Sequence, residues 1–282
     1  MTVWFITGAS RGFGLEIARQ ALERGDRVVA TARRPRDIEE ALAGHGDRLL
    51  AVPLDVTDEE QAAAAVRSAT AAFGAIDVLV NNAGRGVLGA VEETSDAAAR
   101  GVFDTNVFGL LNVTRAVLPV MREQRSGRVL NLSSVGGFRA AAGFGVYCST
   151  KFAVEGLSEA LHDEVSPLGI KVTVVEPGYF RTDFLDGSSL HVEERVIPDY
   201  EGSAGAVRGA VPGLNHAQPG DPVKGATAIL ELADAAEPPL RAQLGSDCAD
   251  AMRQKVADLA AEAEAWRHLA LSTDHDDVAV RG

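Results

Sequence analysis

Val3-Trp4-Phe5-Ile6-Thr7-Gly8-Ala9-Ser10-Arg11-Gly12-Phe13-Gly14 is the stretch on which the reading of this fold turns. Val3 to Thr7 is an unbroken apolar run ending in Thr, which suits a buried strand. Phe13, Ile17, Ala18, Ala21 and Leu22 then recur at helical spacing until Gly25. A strand, a glycine-rich turn and a helix in that order let backbone N–H groups and the positive helix end meet a pyrophosphate, with glycines where a side chain would block the approach. Gly8, Ser10, Arg11, Gly12, Phe13 and Gly14 are therefore candidate nucleotide contacts. A tight turn without a ligand is the alternative.

Outward from this turn the pattern repeats. Arg27 to Ala32 reads as a second strand, and an Asp or Glu about 20 residues beyond the glycines would hold a ribose 2′-hydroxyl. Thr31-Ala32-Arg33-Arg34 stands there instead. Leu49 to Leu54 is a third strand ending in Asp55-Val56, and Asp58 to Phe73 is an alanine-rich helix. Ile76 to Val80 is a fourth strand closing on Asn81-Asn82-Ala83-Gly84. Ser95 to Gln124 is a long helical stretch containing Asn106, with Gly101 and Gly109 as weak points. Arg128 to Leu132 runs as a fifth strand into Ser133-Ser134. A loop carrying Phe138, Arg139 and Phe144 follows, then a helix ending near Pro167, and Lys171 to Val175 is a sixth strand. Nearly all-apolar strands alternating with helices predict an α/β fold with a doubly wound parallel sheet buried on both faces.

Beyond Pro177 the periodicity disappears until Asp221, and a structureless run of that length predicts a lid or substrate loop. A short helix from Pro222 to Ala233 and a last strand from Arg241 to Leu244 follow. Between Asp250 and Leu269, Met252, Val256, Leu259, Ala263 and Trp266 form an apolar stripe expected to dock on the body or on a partner. The end from Ser272 is polar and is expected to be loose. With no repeat and no linker, residues 1–282 read as a single domain.

Composition excludes more than it assigns. The 46% apolar and 24% charged fractions suit a globular protein, and no apolar run is long enough to span a membrane. A net charge of −13 argues against nucleic acid as a partner. The first residues lack the features of a signal peptide, which gives a cytoplasmic expectation. Cys148 and Cys248 have no metal spacing, and the six histidines show none either, with no carboxylate cluster beside them. No metal is expected.

Val146-Tyr147-Cys148-Ser149-Thr150-Lys151 carries the candidate chemistry. Tyr147 and Lys151 are four residues apart, which stacks them on one face of a helix. A phenol has an ordinary pKa near ~10, and a cation beside it favours phenolate, so the pair can donate and accept a proton. Cys148, about 100° round the helix from Tyr147, is expected to face the interior.

Taken together, Thr7-Gly8-x-x-x-Gly12-x-Gly14, Asp55, Asn81-Asn82-Ala83-Gly84, Asn106, Ser134, Tyr147 with Lys151, and Pro177-Gly178 resemble, in order, the motifs of the short-chain dehydrogenase/reductase family. The match runs from Val3 to about Phe184. The resemblance implies a Rossmann-type fold in a single domain, with helices on both faces, that moves a hydride between a nicotinamide cofactor and a carbonyl carbon. In that scheme Tyr147 supplies the proton, and Ser134 hydrogen-bonds the same oxygen. Lys151 stabilises the phenolate and grips the nicotinamide ribose, while Asn106 holds a water that passes protons to bulk. Asp55 and Val56 meet the adenine, Asn82, Ala83, Gly84, Pro177 and Gly178 line the cofactor, and Thr182 bonds the nicotinamide carboxamide. Arg11, Arg33 and Arg34 are implied to lie within reach of one ribose, which selects NADP(H). Phe138, Phe144, Tyr179, Phe180 and Phe184, with Arg139 at the rim, imply a small-molecule ketone or secondary alcohol with a hydrophobic body. A homodimer or homotetramer is implied as well. Two alternatives stand beside this: a sugar-nucleotide epimerase or dehydratase on the same fold, and a catalytically silent cofactor-binding regulator.

Overall fold

In the computed structural model, which describes residues 1–275, one seven-stranded sheet organises the chain. The elements in order are β1 (Val3–Thr7), α1 (Gly12–Glu23), β2 (Arg27–Ala32), α2 (Pro35–Ala41), β3 (Leu49–Pro53), α3 (Glu59–Phe73), β4 (Val78–Asn81), β5 (Gly86–Leu88), α4 (Asp96–Phe103) and α5 (Gly109–Gln124). They continue with β6 (Gly127–Leu132), α6 (Gly145–Val165), β7 (Ile170–Pro177), β8 (Leu190–Val192), α7 (Ala206–Leu214), α8 (Pro222–Asp234), β9 (Arg241–Leu244), α9 (Ser246–Ala265) and α10 (Arg267–Leu271). The strand order is β3-β2-β1-β4-β6-β7-β9, parallel throughout. This is a Rossmann-type α/β domain, as the alternation of strands and helices predicted.

Strand geometry explains the two-faced core. Successive side chains of β1 point to opposite faces, so Trp4 and Ile6 pack with Ile17, Leu22 and Ile229 from α1 and α8. Phe5 packs on the other face with Val66, Val113 and Met121 from α3 and α5. Each such side chain contributes roughly 1.5–3 kcal/mol by leaving water. Helix starts are written locally: Asp58 caps α3 by accepting from Gln61 N, and Ser95 caps α4 by accepting from Ala98 N. α3 stops where Gly74 turns left-handed at φ 80°.

Four expectations change. First, the stretch from Ser95 to Gln124 is two helices joined by a π-type turn at Asp104–Phe108, where Gly109 N donates to Asp104 O. Second, α2 fills residues between the second and third strands to which the pattern assigned no element. Third, residues 177–221 are not structureless: β8 pairs in parallel with β5, Phe180 bridges Gly220, and α7 follows. Strands of three residues are too short to show a period, and Pro212 interrupts the pattern of α7. Fourth, α9 buries only Cys248 and Ala251. Val256 and Trp266 are 58% and 61% exposed, so the stripe does not dock on the body. The expected loose end from Ser272 falls mostly outside the described residues. Among those residues no helix is long and apolar enough to cross a membrane.

Candidate active site

The glycine turn is held by the end of β4. Asn82 Nδ2 donates to Thr7 O at 2.9 Å and to Gly8 O at 3.1 Å, while Thr7 Oγ1 accepts from the N–H groups of Asn82 and Ala83. A Cβ at Gly14 would lie 2.5 Å from both Asn82 Nδ2 and Gly8 O, so no side chain fits there. Gly8 and Gly12 are left-handed at φ 66° and 55°. α1 opens with no side-chain cap and no acidic residue in its first turn. Its first amides therefore suit an anion.

Two cavities adjoin this turn and meet at Gly84. The larger, about 1170 Å³, is lined by Gly8, Ser10, Arg11, Arg33, Arg34, Asp55, Val56, Ala83 and Gly84. The smaller, about 570 Å³, is lined by Phe13, Asn82, Ser134, Tyr147, Lys151, Pro177, Gly178 and Thr182. The fold thus brings the predicted residues together, except that Gly12, Gly14 and Asn106 line neither cavity. Thr182 stands over the turn, its side chain 3.7 Å from where a Gly12 Cβ would be. The uncapped amides, the three glycines of the turn and the adjoining cavity fit a dinucleotide.

α6 places Tyr147 and Lys151 on one face, with Lys151 Nζ 5.9 Å from the centre of the phenol ring and donating to Leu132 O at 2.8 Å. Phe144 and Phe184 pack against Tyr147 with ring centroids at 6.1 and 5.5 Å. This enclosure corrects the expected net direction of the phenol pKa, because burial outweighs the cation. Burial pushes Tyr147 well above the ordinary value, the Ser134 hydroxyl opposing it, and burial pushes Lys151 down to about 8, with Glu155 opposing. Ser134 Oγ also accepts from Gly136 N at 3.1 Å.

Asn106 lies in the π-type turn and is buried. Its Nδ2 donates to Arg85 O and Thr150 Oγ1, and its Oδ1 accepts from Arg85 N. Asn81 is part of a buried ladder: Nδ2 donates to Thr114 Oγ1 and Asn131 Oδ1, and Asn131 donates on to Ser158 Oγ. Cys148 is buried, and desolvation raises its pKa.

The three arginines differ from the expectation. Arg11 is committed to Ser188 and Ser189, and Arg34 pairs with Asp37 at 2.9 Å. Arg33 makes no ion pair or side-chain hydrogen bond among the described residues, so the three do not converge freely on one ribose. Of the aromatic residues, Phe144, Tyr179, Phe180 and Phe184 line the smaller cavity with Arg139, and Phe138 does not. Gln218, Leu185 and Ala251 line it too. They escaped sequence reading because only the return of distant segments brings them there. The fold also sets His216 beside Asp183 and Asp186, their ligand atoms within 4.8 Å of one another, a cluster that the linear spacing hides.

Comparison with known proteins agrees with this geometry. The family model described as short chain dehydrogenase matches residues 2–192. An oxidoreductase of Botryotinia fuckeliana, BOA17, is 40% identical over 272 residues, covering 96% of this chain and 98% of that protein. The structure of a short-chain dehydrogenase from Streptomyces avermitilis superposes with a TM-score of 0.90 at 44% identity, covering 97% of this chain and 100% of that one. A short chain dehydrogenase/reductase from Burkholderia phymatum in complex with NAD gives 0.80 at 25% identity, covering 93% and 95%. The closed form of a serine dehydrogenase complexed with NADP+ gives 0.71 at 28%, covering 86% and 94%.

Proposed function

This chain belongs to the short-chain dehydrogenase/reductase family of oxidoreductases, and from that premise we propose that it is an NADP(H)-dependent reductase of ketones, or dehydrogenase of secondary alcohols, with hydrophobic bodies. One observation carries the reading: the Tyr147 phenol, the Ser134 hydroxyl and the Lys151 ammonium border one aromatic-walled cavity that opens at Gly84 into a second, nucleotide-sized one.

When bound, the nicotinamide supplies or accepts the hydride. Ser134 Oγ orients the carbonyl oxygen, and Tyr147 Oη gives that oxygen its proton in reduction or takes it in oxidation. Lys151 stabilises the phenolate by charge, an effect strengthened by the water-poor surroundings that raise the phenol's resting pKa. The side chain of Asn106 is spent on Arg85 and Thr150, so its part is to hold the turn beside Arg85 and not to bind a proton-passing water. Phe144 and Phe184 exclude solvent from the phenol and fit an apolar substrate body.

NADP(H) is supported by Arg33, with Arg34 beside it paired to Asp37, on the wall where an acid would serve NAD. Among the NAD- and NADP-bound structures above, both cofactors occur, so the arginines carry the choice. A unit pair at ~4 Å is worth about 4 kcal/mol at an effective dielectric near 20 and much less when exposed. A preference of roughly tenfold or more is therefore expected, at ~1.4 kcal/mol per decade. The test is kcat/KM with NADPH and NADH against a panel of ketones, for wild type and Arg33→Asp. Wild type should favour NADPH and the variant should lose most of that preference. Equal use of both cofactors by wild type sinks the NADP reading, and tight cofactor binding without turnover favours a silent regulator. A homodimer or homotetramer is proposed as well, supported by exposed Phe108 and Phe152 at 53% and 44%. Light scattering at micromolar concentration checks it.

A further inference from the structure

Behind the catalytic helix lie three buried side-chain atoms without a hydrogen-bond partner among the described residues: Ser133 Oγ, Glu155 Oε1 and Glu176 Oε1. Glu176 is fully buried, and Ser133 and Glu155 are 5% and 7% exposed. They converge because Ser133 N bonds Val175 O at 2.8 Å, setting Ser133 beside Glu176, while Glu155 reaches over from α6 closely enough for its carboxyl to act on that of Glu176. A Cβ at Gly137 would overlap Ser133 Oγ and stand 2.8 Å from Glu155 Oε1, so only glycine leaves them room.

The groups facing this pocket do not neutralise two acids. From β9, Arg241 Nε lies 3.2 Å from Glu155 Oε2, but its Nη2 is taken by Glu159 at 2.6 Å, and the Gln243 amide donates to Glu176. From α9, the Cys248 thiol donates to Glu176 O at 3.0 Å, and Asp247 turns away to accept from Tyr179 N. From α6, Lys151 is one helical turn before Glu155. Two adjacent carboxyl groups out of water, with one guanidinium beside them, ionise one after the other, the second only as pH rises through about 7.

We infer that Glu155 and Glu176 share one proton, the acid donating to the carboxylate, and that through Glu155 the pair is a positioning device keeping Lys151 cationic. Burial, the largest cause, raises Glu176 to about 7, and the charge of Glu155 opposes the burial that lowers Lys151. The role, though not the pair itself, rests on the proposed function of Lys151.

Activity that needs the ammonium falls as pH rises through about 8. Glu155→Gln removes the opposing charge, so this alkaline limb of kcat/KM should move down by about one pH unit or more. In Glu176→Gln the amide can donate to Glu155, whose charge one helical turn from Lys151 is kept, so the limb should move less than half as far, whatever the rate. A Glu155→Gln rate lowered equally at every pH, or a limb moved as far by Glu176→Gln, overturns the inference. Carbon NMR of the full chain labelled at glutamate carboxyls reads the pair without turnover and without depending on Glu155→Gln folding. One carboxyl should titrate near pH 7 in wild type and be missing in Glu176→Gln; no glutamate titrating above the ordinary range overturns the shared proton. If no carbonyl substrate is turned over, the proposed activity fails while this signal still decides the pair.

Discussion

The glycine turn and the 177–221 segment flank the same cavities and are held in different ways. Around the turn, backbone pairing and close approach set the shape: β1 lies in full register with β2 and beside β4, and one short side-chain amide, that of Asn82, bonds the turn's own carbonyls. The later segment, beyond its short β5–β8 pairing, is held by side chains reaching across the chain. Glu93, 1% exposed, accepts from Ala90 N at 2.8 Å and Ile197 N at 2.9 Å and meets Arg208. Glu193 accepts from the N–H and hydroxyl of Ser95, and Arg11 clasps Ser188 and Ser189. A shape fixed by backbone tolerates most side-chain changes but not an added atom. A shape fixed by charged side chains yields when one charge is removed.

Substitutions can break this contrast at three strengths. Tyr147→Phe removes the proposed proton donor where both regions meet; turnover should fall by at least roughly 10²-fold, with cofactor affinity by fluorescence titration unchanged. A variant above half the wild-type rate would refute the assignment. Gly14→Ala forces a Cβ against backbone and the Asn82 amide. Overpacking of this kind costs about 1–3 kcal/mol, so cofactor affinity should drop roughly tenfold, and an unchanged Kd would show the turn to be less tight than described. Glu93→Gln should leave Tm nearly unaltered while speeding proteolysis between residues 190 and 208. Acid should mimic it. Backbone N–H groups of Ile197 and Ala90 hold the Glu93 carboxylate below its ordinary pKa, so its contribution is full above the ordinary carboxylate range and is lost as pH falls through the lowered value. Proteolysis of that segment that is independent of pH and of Glu93 would erase the distinction.

The same contrast explains what the amino-acid order revealed. Val3 to Gly14 was legible because strand, turn and helix each obey local rules, and the spacing of Ser134, Tyr147 and Lys151 survives as neighbours in space. β5 and β8 were not legible, because each exists only by pairing with a partner about 100 residues away. The fates of Arg11 and Arg34 depended on Ser188, Ser189 and Asp37, which no periodicity announces. Burial of Tyr147 reversed the direction of its pKa, since spacing records which groups are near and not how much water remains between them.

The π-type turn at Asp104–Phe108 acts on the rotational phase of the helical rod. In an unbroken α-helix, residues 11 apart point within about 20° of each other, so Val102 and Val113 would share a face. One wider turn makes the second half lag by roughly a quarter revolution. Val102 therefore packs beside Tyr147 and Cys148, while Val113 packs under the sheet with Phe5. A single residue's worth of slack lets one rod serve the active-site wall with its first half and the main core with its second, and deleting one residue there would bring the two faces back into phase and rob one of these sites of its lining.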